Sequence, residues 1–267
     1  MNNPRNVKNK YNMPSLNKAL SIIEALAEQE KPIGVSDLCK LVSVPKTSAF
    51  FILNTLESHQ YVVKTEDGKY EIGTKFLTLG SMILNRMDIR HYAKPFMQKL
   101  QEETGFTVHL AVLDHGEALF IEKLENQRFV KFSTYVGQRQ LLHVSGVGKA
   151  LAAYLPEPEL DYILATKGLP QKTVNTITSP EEFKAVLAKV RQHGYALEDE
   201  EGEIGVRCIG APIFGIDSKI RASLSITALR TELSIHDIPV IGEKVKQTAL
   251  SISKSIGYPH DNFPAEV

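Results

Sequence analysis

The sequence predicts a chain in two parts: a small, mainly α-helical unit closed by a β-hairpin, then a larger α+β unit, with helix between them. Three observations predict it. Within the first 75 residues, three stretches of helical periodicity precede two β-favouring runs around Glu66-Asp67-Gly68, a strong hairpin signal. Residues 76–103 return to a helical pattern. From residue 104 onward, β-favouring runs and helical runs are mixed, which indicates helices packed on one sheet.

Each element follows from local chemistry. Residues 1–14 read as a flexible basic arm carrying Arg5, Lys8 and Lys10. Leu16, Ala19, Leu20, Ile23, Leu26 and Ala27 recur at helical spacing, so 15–29 is a helix with Ser15 as N-cap. Lys31-Pro32-Ile33-Gly34 ends it. A short helix over 36–41 and a turn over 42–45 follow. Pro45 suits the opening of a third helix, 46–58, with Phe50, Leu53, Thr55 and Leu56 turned toward the first two. Runs 61–65 and 69–72 make the hairpin. Three helices and a hairpin inside about 60 residues is the order of a winged helix-turn-helix, whose third helix suits the major groove of DNA and whose hairpin suits the backbone.

The helical stretch 76–103 contains Pro95, which kinks it or separates two helices. Strands are expected over 106–113, 118–124, 128–134, 207–214 and 220–227. Helices are expected over 145–155, 158–166, 180–193 and 238–256, giving an α+β sandwich. The organisation is an arm (1–14), a DNA-binding domain (15–75), linker helices (76–103), a second domain (104–259) and a tail (260–267).

Composition excludes several classes. With 43% hydrophobic and 23% charged residues, the 267-residue chain can bury a normal core and is not disordered. Lys plus Arg and Asp plus Glu are 31 each, which excludes a uniformly basic nucleic-acid coat but not a local basic face. No run approaches the roughly 20 apolar residues of a membrane helix, and no signal-peptide pattern opens the chain, so a cytoplasmic protein without membrane contact is expected. Cys39 and Cys208 are the only cysteines, so neither a disulfide framework nor a cysteine zinc site is expected, and no metal or cofactor is implied. Ser145-Gly146-Val147-Gly148-Lys149 looks like a phosphate loop. It fails the full motif, because His143 stands where a glycine should and Ala150 follows the lysine.

Lys46, Thr47 and Ser48 open the third helix. A lysine there can neutralise phosphate or reach a guanine edge, and the hydroxyls can bond either; capping of the helix is the plainer reading of Thr47 and Ser48. Lys64 and Lys69 flank the hairpin and suit backbone phosphates, whereas Glu66 and Asp67 at its tip would be repelled. The arm, with Lys18, either adds salt-sensitive affinity for DNA or only solubilises the chain.

Three blocks in order carry a resemblance over about residues 15–259. They are Pro45-Lys46-Thr47-Ser48 through Leu53-Asn54-Thr55-Leu56-Glu57 with Tyr70-Glu71-Ile72-Gly73; His143-Val144-Ser145-Gly146-Val147-Gly148-Lys149-Ala150-Leu151-Ala152; and Gly194-Tyr195-Ala196-Leu197-Glu198-Asp199-Glu200-Glu201 with Gly205-Val206-Arg207-Cys208-Ile209-Gly210-Ala211-Pro212. The chain resembles the IclR family of bacterial transcription regulators. The resemblance implies an N-terminal winged helix-turn-helix, a linker helix and a C-terminal α+β GAF-like effector domain. It also implies dimers or tetramers on palindromic double-stranded operators, and a small effector, often a carboxylate or sugar acid. Repression is the commoner outcome. One position departs from the pattern: Phe51 stands where the family usually has arginine. It suits either a thymine methyl or packing against the hairpin.

By the same resemblance, Gly146 and Val147 line the effector pocket at a helix start, Cys208 faces it, and Ser225 and Thr227 share one face of a strand. Glu198 lies where many relatives carry an effector-binding aspartate, and Phe129 and Phe132 form an apolar wall. Plainer readings stand beside these: Cys208 as a buried small residue, Ser225 and Thr227 as ordinary strand residues, residues 198–203 as a solvated acidic loop, and His143 as a satisfied core histidine. Two other classes compete with a regulator: an enzyme using Cys208 as nucleophile with His143 or His193, and a winged helix that binds protein. No base with an orienting partner is patterned around Cys208, which disfavours the enzyme.

Overall fold

The computed structural model describes residues 13–86, 88–125 and 131–264. Arg5, Lys8 and Lys10 of the arm, and Phe129 of the expected apolar wall, lie outside the described residues. The chain divides into two compact units, Met1–Arg86 and Met87–Val267.

The first unit holds α1 (Pro14–Ala27), α2 (Val35–Val42), α3 (Lys46–Ser58), a hairpin of β1 (Val62–Lys64) and β2 (Tyr70–Ile72), and α4 (Lys75–Arg86). Ile22 and Leu26 of α1, Leu38 of α2, Ala49 and Leu53 of α3, Val62 and Tyr70 are all buried together. Ser43 joins α2 to α3 in the left-handed region, with φ 53°. Ile33 exchanges two backbone bonds of 2.9 Å with Tyr70, which pins the break after α1 to the hairpin.

Three expectations are corrected here. Ser15 does not cap α1: the helix begins at Pro14, with Met13 as N-cap and no side-chain cap. Leu16 and Leu20 are exposed, because the buried ridge of α1 runs through Ile22 and Leu26. On α3, Phe50 and Thr55 face outward, and Ala49 and Ile52 join Leu53 and Leu56 on the inner face.

The second unit is built on an antiparallel sheet of six strands in the order β5-β4-β3-β8-β7-β6. The strands are β3 (Thr107–Asp114), β4 (Glu117–Leu124), β5 (Arg139–Gln140), β6 (Ala196–Asp199), β7 (Val206–Phe214) and β8 (Ile220–Leu229). α5 (Asp88–Thr104) and α9 (Ile238–Ser255) pack against the sheet and each other. α6 (Gly146–Ala152), preceded by a single 3₁₀ turn, lies across β7, β8 and β3, with α7 (Glu157–Lys167) and α8 (Pro180–His193) beside it. Pro95 sits inside α5 and does not separate two helices. Phe263, near the C-terminus, packs on Phe214 at 5.4 Å.

Residues 131–134, expected as strand, carry no strand among the described residues. Their carbonyls are taken by a side chain: Lys123 Nζ donates to Phe132 O at 2.7 Å and Thr134 O at 2.6 Å. A bulge in β4 makes that possible. Leu110 pairs with Glu122 and Ala111 with Phe120, so Ile121 is the extra residue. Lys123 and Phe120 thus share a face although they are three apart.

α6 approaches β7 at backbone distance. A Cβ on Gly210 would collide with the Gly146 carbonyl, and one on Gly148 would meet Leu142 backbone at 2.6 Å. Ser145 caps α6 by accepting the Gly148 N–H at 3.1 Å. Gly210→Ala therefore has to push α6 off the sheet. It is expected to lower stability by about 1–3 kcal/mol, read as a fall in the urea midpoint; an unchanged midpoint would remove this contact from the account.

Candidate functional site

In the second unit the residues singled out by sequence converge on one cavity, whereas in the first they lie at the start of α3 and on the hairpin. In the first unit, Lys46 and Thr47 are exposed at the start of α3 and Ser48 is half-buried. The N-cap is Pro45 and no side chain caps the helix, so neither Thr47 nor Ser48 is used for capping. Residues 46–56 contain no acid. Phe51 is 66% exposed, which removes packing against the hairpin as its role. Lys64 lies over the Tyr70 ring, 5.7 Å from its centre. Lys69 pairs with Asp67 at 2.6 Å, and that bond, with one from Thr65, holds the Asp67 carboxyl down at about 2. Asp67 thus competes with any phosphate for Lys69. Asn54, which sequence reasoning did not single out, is exposed one turn beyond Phe51.

In the second unit, a cavity of about 430 Å³ opens between the start of α6 and the sheet. Phe132, Gly146, Val147, Glu198, Cys208, Ser225 and Thr227 all line it. Strand register explains the convergence. Glu198 pairs with Cys208 and Cys208 with Thr227; in the next rung Gly210 pairs with Ser225 and Ser225 with His109. Alternation along each strand turns all these side chains to one face.

His109 was not anticipated, since a single histidine in a strand has no local pattern. It is 1% exposed. Its Nε2 lies 2.8 Å from Thr134 Oγ1, its Nδ1 3.3 Å from Thr227 Oγ1, and its ring rests 4.7 Å from Phe120. Thr227 Oγ1 in turn lies 3.3 Å from Cys208 Sγ. Burial, with the nearby Lys123 ammonium adding to it, lowers the imidazole to about 3, so the ring is neutral. A neutral ring has one donor and one acceptor, so one threonine accepts from it and the other donates. Gln138, Gln140 and Ser145 add further polar groups to the wall, and Lys172 and Glu203 are exposed residues that also line the cavity.

The acidic run is not a solvated loop. Glu198 is buried on β6, and one of its oxygens accepts the N–H groups of Glu201 at 2.7 Å and Gly202 at 3.0 Å. Burial pushes its carboxyl up against those bonds. Asp199 takes Arg207, Glu200 takes Arg230, and Glu201 takes Lys149. Burial raises the Glu201 carboxyl to about 7, against the pull of Lys149.

The histidines proposed beside Cys208 are committed elsewhere. His143 is buried, donates from Nε2 to Pro170 O at 3.1 Å and lies edge-on to Phe183; His193 Nδ1 donates to Lys189 O at 2.9 Å. The Cys208 thiol is pushed well above its ordinary value, by burial first and then by Glu198. A thiolate nucleophile is therefore disfavoured. Among the described residues, no group of three or more potential ligands could hold a metal ion, and no helix is long and apolar enough to cross a membrane.

A helix-turn-helix with a hairpin wing, together with a cavity in a separate α+β unit, is the arrangement of a DNA-binding transcriptional regulator with an effector domain. Residues 15–66 match the IclR helix-turn-helix domain and residues 81–254 the bacterial transcriptional regulator IclR C-terminal domain. The chain belongs to the IclR family of DNA-binding transcriptional regulators with a C-terminal effector domain. It is 34% identical to the HTH-type transcriptional regulator XynR of Escherichia coli K12, over 92% of this chain and 98% of that one. It is 30% identical to the transcriptional repressor IclR of the same strain, over 91% and 90%. Among solved structures, an IclR homologue from Microbacterium hydrocarbonoxydans complexed with 4-hydroxybenzoate superposes with a TM-score of 0.78 at 25% identity, covering 91% of this chain and 98% of that one.

The neutral His109 has a measurable signature. Its folded value of about 3 lies below its ordinary 6.5, so the unfolded chain binds a proton that the folded chain refuses as pH falls between those values. Stability supplied by this group is complete above about pH 6.5 and is lost toward pH 3. The native chain is expected to lose up to about 1.4 kcal/mol per pH unit more than His109→Gln across that window. Urea unfolding of both proteins from pH 7 to 4 checks this; parallel curves would contradict it.

Proposed function

We propose that this protein is a repressor that binds palindromic duplex DNA through α3, Lys46, Thr47, Ser48, Phe51, Lys64 and Lys69 as a homodimer or homotetramer, and that a small organic or sugar acid in the cavity of the second unit controls its operator affinity. The observation that carries the effector half is the convergence of seven residues from α6, β6, β7, β8 and the 131–134 segment on one cavity. A volume of about 430 Å³ lies in the range of small-molecule sites. The lining supports a hydroxylated acid: Ser145, Thr134, Ser225 and Thr227 offer hydroxyls, Gln138 and Gln140 offer amides, and Lys172 offers a cation for a carboxylate. The 4-hydroxybenzoate complex of the Microbacterium relative supports an acid that also bears a hydroxyl. Repression follows the E. coli relative that carries the name of repressor. The ligand acts by preferring one of two quaternary arrangements, since only a difference in affinity between states can move the equilibrium.

A thermal-shift titration of the full chain with 4-hydroxybenzoate, gluconate and their uncharged analogues tests the effector half. An acid is expected to raise the melting temperature where its uncharged analogue does not. Thr227→Val is expected to weaken that acid about tenfold; equal affinity would take Thr227 out of the site. For the DNA half, Lys46→Ala is expected to weaken binding and reduce the slope of log K against log salt by about 1, with effector affinity unchanged. A gel-shift titration at several salt concentrations reads it, and an unaltered slope would refute the phosphate contact.

A further inference from the structure

The outer ridge of α3 carries apolar and amide chemistry with no partner of its own. Thr47, Phe51, Asn54 and Ser58 recur at i, i+4, i+7 and i+11, opposite the inner face of Ala49, Ile52, Leu53 and Leu56. Phe51 is 66% exposed and its neighbour Phe50 52% exposed. The two rings meet edge to face, 5.9 Å apart at 75°, so Phe50 braces Phe51 from the side. Two aromatic rings left in water on a folded helix are an unused source of burial. Farther along, Thr55 Oγ1 donates to the Phe51 carbonyl at 2.9 Å and Ser58 Oγ to the Thr55 carbonyl at 2.8 Å, so both hydroxyl protons are spent inside the helix. The Asn54 amide makes no hydrogen bond to a described side chain or carbonyl and keeps both its donor and its acceptor. No acid interrupts residues 46–56, and Lys46 stands at the helix start, so a polyanion can come up to this ridge.

We infer that Phe51 and Asn54 determine operator sequence: Phe51 packs on the 5-methyl of thymine and Asn54 pairs with the N6 and N7 edge of adenine, so each half-site carries A·T pairs beneath the middle of α3. This rests on the reading that α3 enters the major groove. There, thymine alone presents a methyl, and asparagine matches the adjacent donor and acceptor of adenine. An arginine in place of Phe51 would favour guanine; the phenyl ring replaces a charge-assisted contact with an apolar one, and the preferred base changes with it.

The test alters single groups on the base edges. Sites are selected from a randomised duplex library with the full-length protein, and individual thymines are then replaced by uracil, or adenines by 7-deazaadenine. At one thymine per half-site, uracil is expected to weaken the native protein about fourfold and to leave Phe51→Ala no weaker than it already is. At one adenine, 7-deazaadenine is expected to cost about five- to tenfold in the native protein and nothing further in Asn54→Ala. Equal uracil penalties in native protein and Phe51→Ala, or G·C pairs selected under the middle of the helix, overturn the inference. So does a Phe51→Ala protein whose self-association changes while its thymine-to-uracil ratio does not, since the ridge is then a protein contact. Both side chains are exposed, so both variants are expected to melt at the native temperature, which a thermal scan checks. A selected site whose binding depends on Lys46 but ignores the methyl refutes the inference alone. If no sequence is selected and Lys46→Ala has no effect, the groove reading itself fails and takes the inference with it.

Discussion

Lys149 is 1% exposed, and a buried ammonium is tolerated only where its charge and its protons are all answered. Its Nζ donates to the Leu197 carbonyl at 2.9 Å and pairs with Glu201. Those bonds tie the middle of α6 to β6 and to the acidic turn behind it. The turn is fixed in its own right by Glu198, which accepts two of its N–H groups, so the same carboxylate that lines the cavity also shapes the loop at its edge. α6 can reach this position only because Gly146 and Gly210 let two backbones touch. The cavity is what remains between a helix held down at Lys149 and a sheet that carries small polar side chains on that face. The polar groups on its wall are hydroxyls, the Gln138 and Gln140 amides, the neutral His109 ring and the hydrogen-bonded Glu198 carboxyl, with exposed Lys172 and Glu203 beside them.

The helices of this fold were largely legible in the sequence because their ends are written in residues that act locally. α3 and α8 begin and end where expected, at 46–58 and 180–193, since Pro45, Ser179-Pro180 and Gly194 act within a turn of themselves. The misreadings share another cause. The 131–134 segment has β-favouring residues, yet the carbonyls of Phe132 and Thr134 go to Lys123, nine and eleven residues away, which enters only through the bulge at Ile121. The acidic run looked solvated because its four partners, Lys149, Arg207, Arg230 and the backbone of its own turn, are assembled by the sheet. On α3 the inner face was rotated by one position, because Phe50 outweighs Ala49 in any hydrophobic count, whereas Ala49 is the residue that is buried. Seven cavity residues were found by resemblance; His109 was not, since its meaning comes from two threonines, one 25 and one 118 positions away.

β4 links the cavity wall to α5. Consecutive residues of a strand point to opposite faces, and here Glu122 and Lys123 do so with unlike partners. Lys123 holds the 131–134 wall of the cavity. Glu122, pointing away, accepts two bonds from the Arg90 guanidinium of α5, at 2.7 and 3.1 Å. Both charges are largely buried, so neither pair can be exchanged for water without cost. A ligand that enters against Phe132 and Thr134 must either fit the wall as Lys123 holds it or displace it. Lys123, which holds that wall, adjoins Glu122, the residue that binds Arg90 of α5.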